Sequence, residues 1–229
     1  MLRRLRQLLA ARSALAGIEF ALILPVMLTM LAGLVDLSLA VITARRLTVA
    51  AEDVALVAST MAVQFHSLNA LSGLQAWQAT TAPFAIFPAW RNLNGSNGFS
   101  ITLSAVDFAA TPAGCTANCA GYAAATRWSV ANPRGQVALR PCGALAAVPD
   151  GQPASMATLP AGVFGPTSLL VGDVATVFMP LLTGVFIGPV PMRRSAYIPP
   201  RVNNGVQLTS LGPGQSVICP TQGAPQHDS

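Results

Sequence analysis

Few side chains in this sequence could take part in chemistry: there are eight carboxylates, two histidines and four cysteines among 229 residues. The cysteines are Cys115, Cys119, Cys142 and Cys219. Four cysteines allow three disulfide pairings, between which sequence does not decide, or they could together bind one zinc ion. The spacing favours a small Cys115–Cys119 loop and a long Cys142–Cys219 crosslink. Because Cys142 and Cys219 stand alone in the chain, a second closely spaced zinc-binding pair is missing, and we predict disulfides.

The other reactive side chains do not form a known catalytic pattern. The chain has no GxSxG, HExxH, GxxxxGK[ST] or GxGxxG motif. His66 is expected to be a solvated helix residue, and His227 lies near the end of the chain. The acids beyond residue 43 are scattered: Glu52, Asp53, Asp107, Asp150, Asp173 and Asp228. We therefore predict no enzymatic activity, no cofactor and no metal; a serine hydrolase stays open as an alternative, because its triad is assembled in space.

One carboxylate has an unusual setting. Glu19 opens an uncharged run of 16 residues, 20–35, that ends at Asp36 and stays largely apolar to residue 43. About 20 helical residues, rising about 1.5 Å each, cross a bilayer core of about 30 Å. The run therefore predicts a transmembrane helix over residues 15–43, with Asp36 in the headgroup region at its outer end.

Charge near the N-terminus predicts the orientation of this helix. Residues 1–14 carry four arginines and no acid, whereas only Arg45 and Arg46 follow the helix closely. Basic flanks are retained on the cytoplasmic side, so we expect a cytoplasmic N-terminus and a periplasmic C-terminal domain. The alternative is a secretory signal peptide cut after Ala40. The net charge of +5 comes largely from these flanks, and we expect no nucleic-acid binding.

The segment GIEFALILP at residues 17–25, preceded by basic residues, closely resembles the N-terminus of TadE/TadG-like proteins. These are minor pilins, or pseudopilins, of the tight-adherence (Flp) pilus system and relatives of type IV pilins. In that family a prepilin peptidase removes a leader after a small residue, normally Gly. The fifth residue after the cut is Glu and the sixth is Tyr or Phe. The resemblance implies cleavage between Ala14 and Leu15, with Glu19 fifth and Phe20 sixth; Ala14 departs from the usual glycine.

The resemblance also implies a function and partners. The chain would be a structural subunit of the inner membrane, present in a surface pilus or its assembly platform. Its partners would be the prepilin peptidase, the assembly platform, the lipid bilayer and other pilin-like subunits contacted through the N-terminal helix. Glu19 would set the subunit register by pairing with an N-terminal amine, or would instead reach the cytoplasmic interface. The alternative function is a membrane-anchored periplasmic binding module without a pilus role.

Beyond the membrane, residues 44–80 are predicted to continue the helix as an amphipathic stem. Apolar residues recur at spacings of three and four, with Gln64 as the one polar break: Leu47, Ala50, Val54, Val57, Met61, Leu68 and Leu71. This stripe could pack on the protein's own C-terminal domain or against other pilin-like stems, and both alternatives stay open.

The rest of the chain predicts a small antiparallel β-rich domain at residues 81–202, so the fold class is α+β. A tail at 203–229 is expected to be flexible and tied down by Cys219. Within the domain, residues 141–165 are predicted to be a surface loop. Residues 179–190 form an apolar connection, too short and too broken by Pro and Gly to cross a membrane. The predicted strands cover residues 99–106, 125–130, 173–179 and 192–198, the last two being antiparallel neighbours.

Overall fold

The structure is a computed structural model that divides into two compact units. The helix unit comprises Met1–Thr43 and Phe178–Val190, and the sheet unit comprises Ala44–Val177 and Pro191–Ser229. The structure describes residues 12–64, 70–87, 99–116, 119–132, 138–201 and 205–220, with the backbone alone for residues 12–16, 63 and 64.

The helix unit is built on the first part of helix α1, which extends over Arg12–Gln64 with Pro25 inside it. Large apolar side chains from Ile18 to Ile42 are exposed on all sides of this part. Within the described part of the chain, this is the one helix long and apolar enough to cross a membrane. Its length and composition agree with the predicted span.

In the sheet unit, the last part of α1 is buried along one face. Leu47, Ala50 and Val54 of the predicted stripe are fully buried in the core, and Val57 and Met61 pack against it. Four further alanines share this face: Ala51, Ala55, Ala58 and Ala62. The stripe therefore packs on the protein's own domain, which is the first of the two alternatives.

The predicted continuous helix over 44–80 is wrong, because α1 ends at Gln64. Strand β1 (Ala70–Leu71), helix α2 (Gly73–Thr81) and helix α3 (Pro83–Ile86) follow. Ser72 starts α2 with a capping box: its hydroxyl accepts a hydrogen bond from the Gln75 N–H, and the Gln75 side chain accepts one from the Ser72 N–H. These bonds satisfy two N–H groups that a helix end leaves free and so favour a new helix here. Leu68 and His66 lie outside the described residues.

The main sheet has seven strands in the order β5-β4-β3-β2-β6-β7, with β9 also beside β3. Their bounds are β2 Ser100–Thr111, β3 Gly121–Ala131, β4 Gly143–Val148, β5 Thr158–Pro160, β6 Leu169–Phe178, β7 Val190–Ile198 and β9 Gln215–Ile218. A short 3₁₀ helix, Ala161–Val163, follows β5. Strand β8 (Gln207–Leu208) pairs with β1 in a separate two-stranded sheet.

The domain was predicted to contain antiparallel strands only, but its strand pairing is mixed. Strand β2 is antiparallel to β3 and β6, and β3 is antiparallel to β4 and β9. However, β4 is parallel to β5, and β1 is parallel to β8. Both parallel pairs are very short, with three and two paired residues, so they leave little pattern in the sequence.

All four predicted strands are present, but two predicted irregular segments are wrong. Residues 141–165, expected to be a surface loop, contain β4 and β5. The tail, expected to be flexible, contains β8 and β9 up to Ile218, and Val206 and Cys219 are buried. Pairing with existing strands satisfies the backbone of these short segments although their own hydrophobic alternation is weak. Residues 221–229 lie outside the described residues.

The sheet is covered on both faces. On one face Ile101, Leu103, Trp128 and Leu170 join the core with α1 and α2. On the other face a smaller cluster contains Val106, Ala124, Leu145, Leu159, Leu169 and Val171. Because β2 and β6 contribute to both clusters, almost every residue of their paired segments is buried.

A buried ion pair crosses this second face. The Arg140 Nη2 donates to Asp173 Oδ2 at 2.7 Å, and both side chains are almost completely buried. Ser195 Oγ donates to the other oxygen of Asp173 at 2.5 Å, and Arg193 lies 3.5 Å from it. Arg140 also donates to the Met156 carbonyl oxygen at 3.1 Å. The pair thus links β6 and β7 to the segment before β5.

Helix α1 and the sheet are in close contact at Gly172 on β6. A Cβ atom at this position would collide with the carbonyl oxygen of Ala51 and contact the side chain of Ala55. Since the colliding atom belongs to the backbone of a helix, it cannot rotate away. Glycine here therefore sets the distance between helix and sheet.

We predict that Gly172→Ala lowers the free energy of unfolding by about 1–3 kcal/mol, the usual cost of overpacking a core. Thermal unfolding of the full-length protein in detergent would measure the change. Gly165→Ala is the matched control, because a Cβ at Gly165 meets no atom within 4 Å. Equal melting temperatures for the two variants would contradict the close approach.

Candidate membrane-anchoring site

Two carboxylates delimit the apolar part of α1. Glu19 and Asp36 are 17 residues apart in one helix, which places them about 25 Å apart along its axis. This distance is close to the thickness of a bilayer's hydrocarbon core, about 30 Å. The two acids therefore lie near opposite ends of the segment that would contact lipid.

The structure describes the residues of the predicted leader cleavage site less completely than the residues predicted to set the subunit register. Ala14 and Leu15 lie in the helical backbone of α1, but their side chains are outside the described set. Glu19 and Phe20 are exposed on the helix. Within the described residues, Glu19 has no hydrogen-bond or ion-pair partner. Its carboxylate is therefore available to a partner from outside this chain.

Asp36, unlike Glu19, is buried: only 4% of its surface is exposed. Three consecutive backbone N–H groups donate to its carboxylate: Leu181 at 2.9 Å, Leu182 at 3.1 Å and Thr183 at 2.6 Å. The Thr183 hydroxyl donates a further bond at 2.7 Å. We call this arrangement the Asp36 cradle. Both partners, the helix and the segment 178–190, belong to the helix unit.

The cradle can hold a negative charge without water. Hydrogen bonds to an ionised acceptor are shorter and about twice as strong as neutral ones, and four donors replace most of the hydration of one carboxylate. The placement of Asp36 in the headgroup region stays a prediction, and the structure adds the hydrogen bonds that its carboxylate accepts from its own chain. Sequence reasoning missed the cradle because its donors are backbone groups 145 to 147 residues away, whose availability depends on a turn.

The segment that forms the cradle is otherwise apolar and exposed. It contains helix α4 (Gly184–Ile187), which ends at Gly188 with a φ of 73°, a conformation that glycine adopts without strain. Val185 is 92% exposed and Phe186 is 84% exposed. Met179, Leu181, Leu182 and Ile187 are also more than half exposed. We call residues 179–189 the apolar loop.

The cysteines form the two disulfides favoured by their spacing. Cys115 pairs with Cys119 in the connection between β2 and β3, and Cys142 pairs with Cys219. Strands β4 and β9 lie one after the other along the same edge of β3, and Cys142 and Cys219 are at their adjoining ends. The zinc alternative is wrong, because all four thiols are bonded in pairs.

Two other carboxylates of the sheet unit, Asp107 and Asp53, have raised pKa values and lie on different elements. Burial raises the pKa of Asp107 despite its ion pair with Arg127 at 2.6 Å. Burial and the charge of Glu52 raise the pKa of Asp53 on the stem. In the described ranges, no group of three or more His, Cys, Asp or Glu side chains could hold a metal ion.

These features define a class of protein. One exposed apolar helix near the N-terminus continues into the core of a disulfide-bonded mixed β-sheet domain, which fits a membrane-anchored protein.

Comparison with known families makes this more specific: residues 16–56 match the family model described as TadE-like protein. The match confirms the resemblance to the TadE/TadG-like family of the tight-adherence pilus system and includes Glu19, Phe20 and Asp36. Searches of curated proteins and of solved structures found no significant match.

We predict that Asp36→Ala releases the cradle. Hydrogen exchange at the amides of residues 181–183 should accelerate about 10- to 100-fold, because each bond to a charged acceptor contributes about 1.5–3 kcal/mol. Mass-spectrometric exchange of the full-length protein in detergent would measure this. Asp36→Asn keeps one acceptor oxygen and should give a smaller effect. Unchanged exchange in Asp36→Ala would show that the carboxylate does not hold the segment.

Proposed function

We propose that this protein is a structural minor pilin or pseudopilin that takes part in the assembly of a Flp-type pilus. The observation that carries the proposal is the TadE-like match over residues 16–56, since it includes the apolar part of α1 with its two carboxylates, Glu19 and Asp36. This part offers an exposed apolar surface and, at Glu19, an acid without a partner among the described residues. These are features of a helix that packs in a bilayer or in a bundle of like helices.

The proposed life cycle follows from this helix. The protein is inserted in the inner membrane with its basic N-terminus in the cytoplasm and its sheet unit in the periplasm. A prepilin peptidase then cuts between Ala14 and Leu15. Two intramolecular disulfides suit the oxidising periplasm, where such bonds form and persist.

Cleavage would create an N-terminal amine that could form an ion pair with Glu19. A new amine at Leu15 lies four residues, or about one helical turn, before Glu19. A carboxylate at membrane depth costs about 2–3 kcal/mol on translocon-insertion scales, which an amine from the same or a neighbouring subunit would offset. Pairing with a neighbour fixes the axial position of one helix against the next, and the assembly platform and other pilin-like subunits are the proposed partners.

The mature N-terminus tests the proposal most directly. We expect protein extracted from membranes to begin at Leu15, as measured by intact mass and N-terminal sequencing. A start at Val41 would identify a cleaved signal peptide and contradict the pilin proposal. An uncut Met1 in cells that possess the peptidase would favour a plain membrane-anchored protein, such as a periplasmic binding module.

The register role of Glu19 makes a separate prediction. Glu19→Gln keeps the side-chain shape but removes the charge, so the leader should still be removed while pilus formation falls about tenfold or more, equivalent to about 1.4 kcal/mol or more. Counting pili by electron microscopy, alongside the mass of the processed protein, separates the two effects. Glu52→Gln is the control, because Glu52 is an exposed acid on the same helix beyond the membrane segment. Normal piliation in Glu19→Gln would rule out an ionic register contact.

A further inference from the structure

The apolar loop has the composition of a membrane-inserting segment, although it is too short to span. No charged residue occurs from residue 174 to residue 192. Its one polar side chain, Thr183, already donates to Asp36. The exposed side chains are large and aliphatic or aromatic, with Val185 and Phe186 almost fully accessible. A patch of this kind marks a surface that is covered in the working protein.

Most backbone N–H groups of the loop already donate hydrogen bonds within the protein, so they do not need water as an acceptor. Between residues 180 and 189, Pro180 and Pro189 have no N–H group. The N–H groups of residues 181–183 donate to Asp36. Those of residues 186–188 donate inside α4, to the carbonyl oxygens of Thr183 and Gly184 at 2.9–3.1 Å. Irregular backbone is costly in lipid because unsatisfied N–H groups cannot bond to water, and most of these donors are already bonded.

The cradle also places the loop beside the membrane helix. Asp36 lies about 25 Å along α1 from Glu19, near the end of the uncharged run. The loop is hydrogen-bonded to that point within the same unit, and both the loop and this part of α1 expose large apolar side chains. A bilayer that surrounds the helix up to Asp36 therefore reaches the loop.

We propose that the apolar loop inserts into the boundary between acyl chains and headgroups of the leaflet at which Asp36 lies, as a second membrane contact next to the helix. This rests on the membrane anchor in the proposed function. Lipid is favoured over a protein partner because the loop offers no charged side chain and no free polar side chain for specific recognition. Insertion of Val185, Phe186 and Ile187 would hold the chain at a fixed depth and limit sliding of the helix along its axis.

Site-specific photo-crosslinking tests this inference. The photoreactive amino acid p-benzoylphenylalanine would replace Phe186 in the full-length protein reconstituted in phosphatidylethanolamine–phosphatidylglycerol vesicles. The same substitution at Leu28, 55% exposed on the membrane helix, is the positive control. Substitution at Leu211, 63% exposed in the sheet unit, is the control for an accessible apolar residue outside the membrane. Lipid adducts are quantified by mass spectrometry after irradiation.

We expect lipid adducts at position 186 to be within about twofold of those at position 28 and about tenfold above those at position 211, as for an interfacial segment. Adducts at 28 without adducts at 186 would overturn the loop contact and leave the anchor intact. A crosslink from 186 to another protein molecule in place of lipid would identify a protein-docking surface and also overturn the inference. Absence of lipid adducts at position 28 would refute the membrane anchor itself, and the loop inference with it.

Discussion

Helix α1 must be exposed and apolar in its first part and must pack closely on the sheet in its last part. The remainder of the structure depends on this division. Between Ile18 and Ile42 its large apolar side chains are exposed. After Ala44 one face is buried, and that face is made mostly of alanine, so that the sheet can approach to the contact at Gly172. A helix with large side chains over its whole length could not bring its backbone this close to a sheet. The change in side-chain size along α1 thus coincides with the change from an exposed apolar segment to a segment that packs on the sheet.

Two buried carboxylates of this chain, Asp173 and Asp36, are stabilised by different kinds of partner. Asp173 is buried in the sheet unit and is compensated by a positive charge, Arg140, with further bonds from Ser195. Asp36 has no ion-pair partner among the described residues, and backbone N–H dipoles and one hydroxyl compensate its charge. The second solution introduces no additional charge into an apolar segment. It suits a position at the edge of a membrane, where an arginine would itself need solvation.

The sequence predicts the elements that follow from local hydrophobic patterns. It does not predict contacts between residues that are far apart in the chain. The apolar run at residues 20–35, the buried stripe at Leu47, Ala50 and Val54, and the longer strands all follow from hydrophobic periodicity. The capping box at Ser72 and Gln75 also had a sequence signal, and it would have shown that the stem is interrupted. The Asp36 cradle and the Arg140–Asp173 pair join residues 145 and 33 positions apart, and no spacing rule identifies such partners. The short strands β5, β8 and β9 form because existing edges and the Cys142–Cys219 disulfide hold them, not because of their own propensity.

Glu19 and Asp36, the two acids in the apolar part of α1, have different surroundings. Both fall inside the segment that matches the TadE-like family, residues 16–56. Asp36 accepts hydrogen bonds from residues 181–183 of its own chain, which lie far outside that segment. Glu19 has no partner in the described part of the chain, and burying it in lipid alone would be costly. Under the proposed function, an uncompensated acid at this depth favours association, so that the N-terminal end of α1 would contact a neighbouring subunit, whereas its Asp36 end is bonded to its own chain.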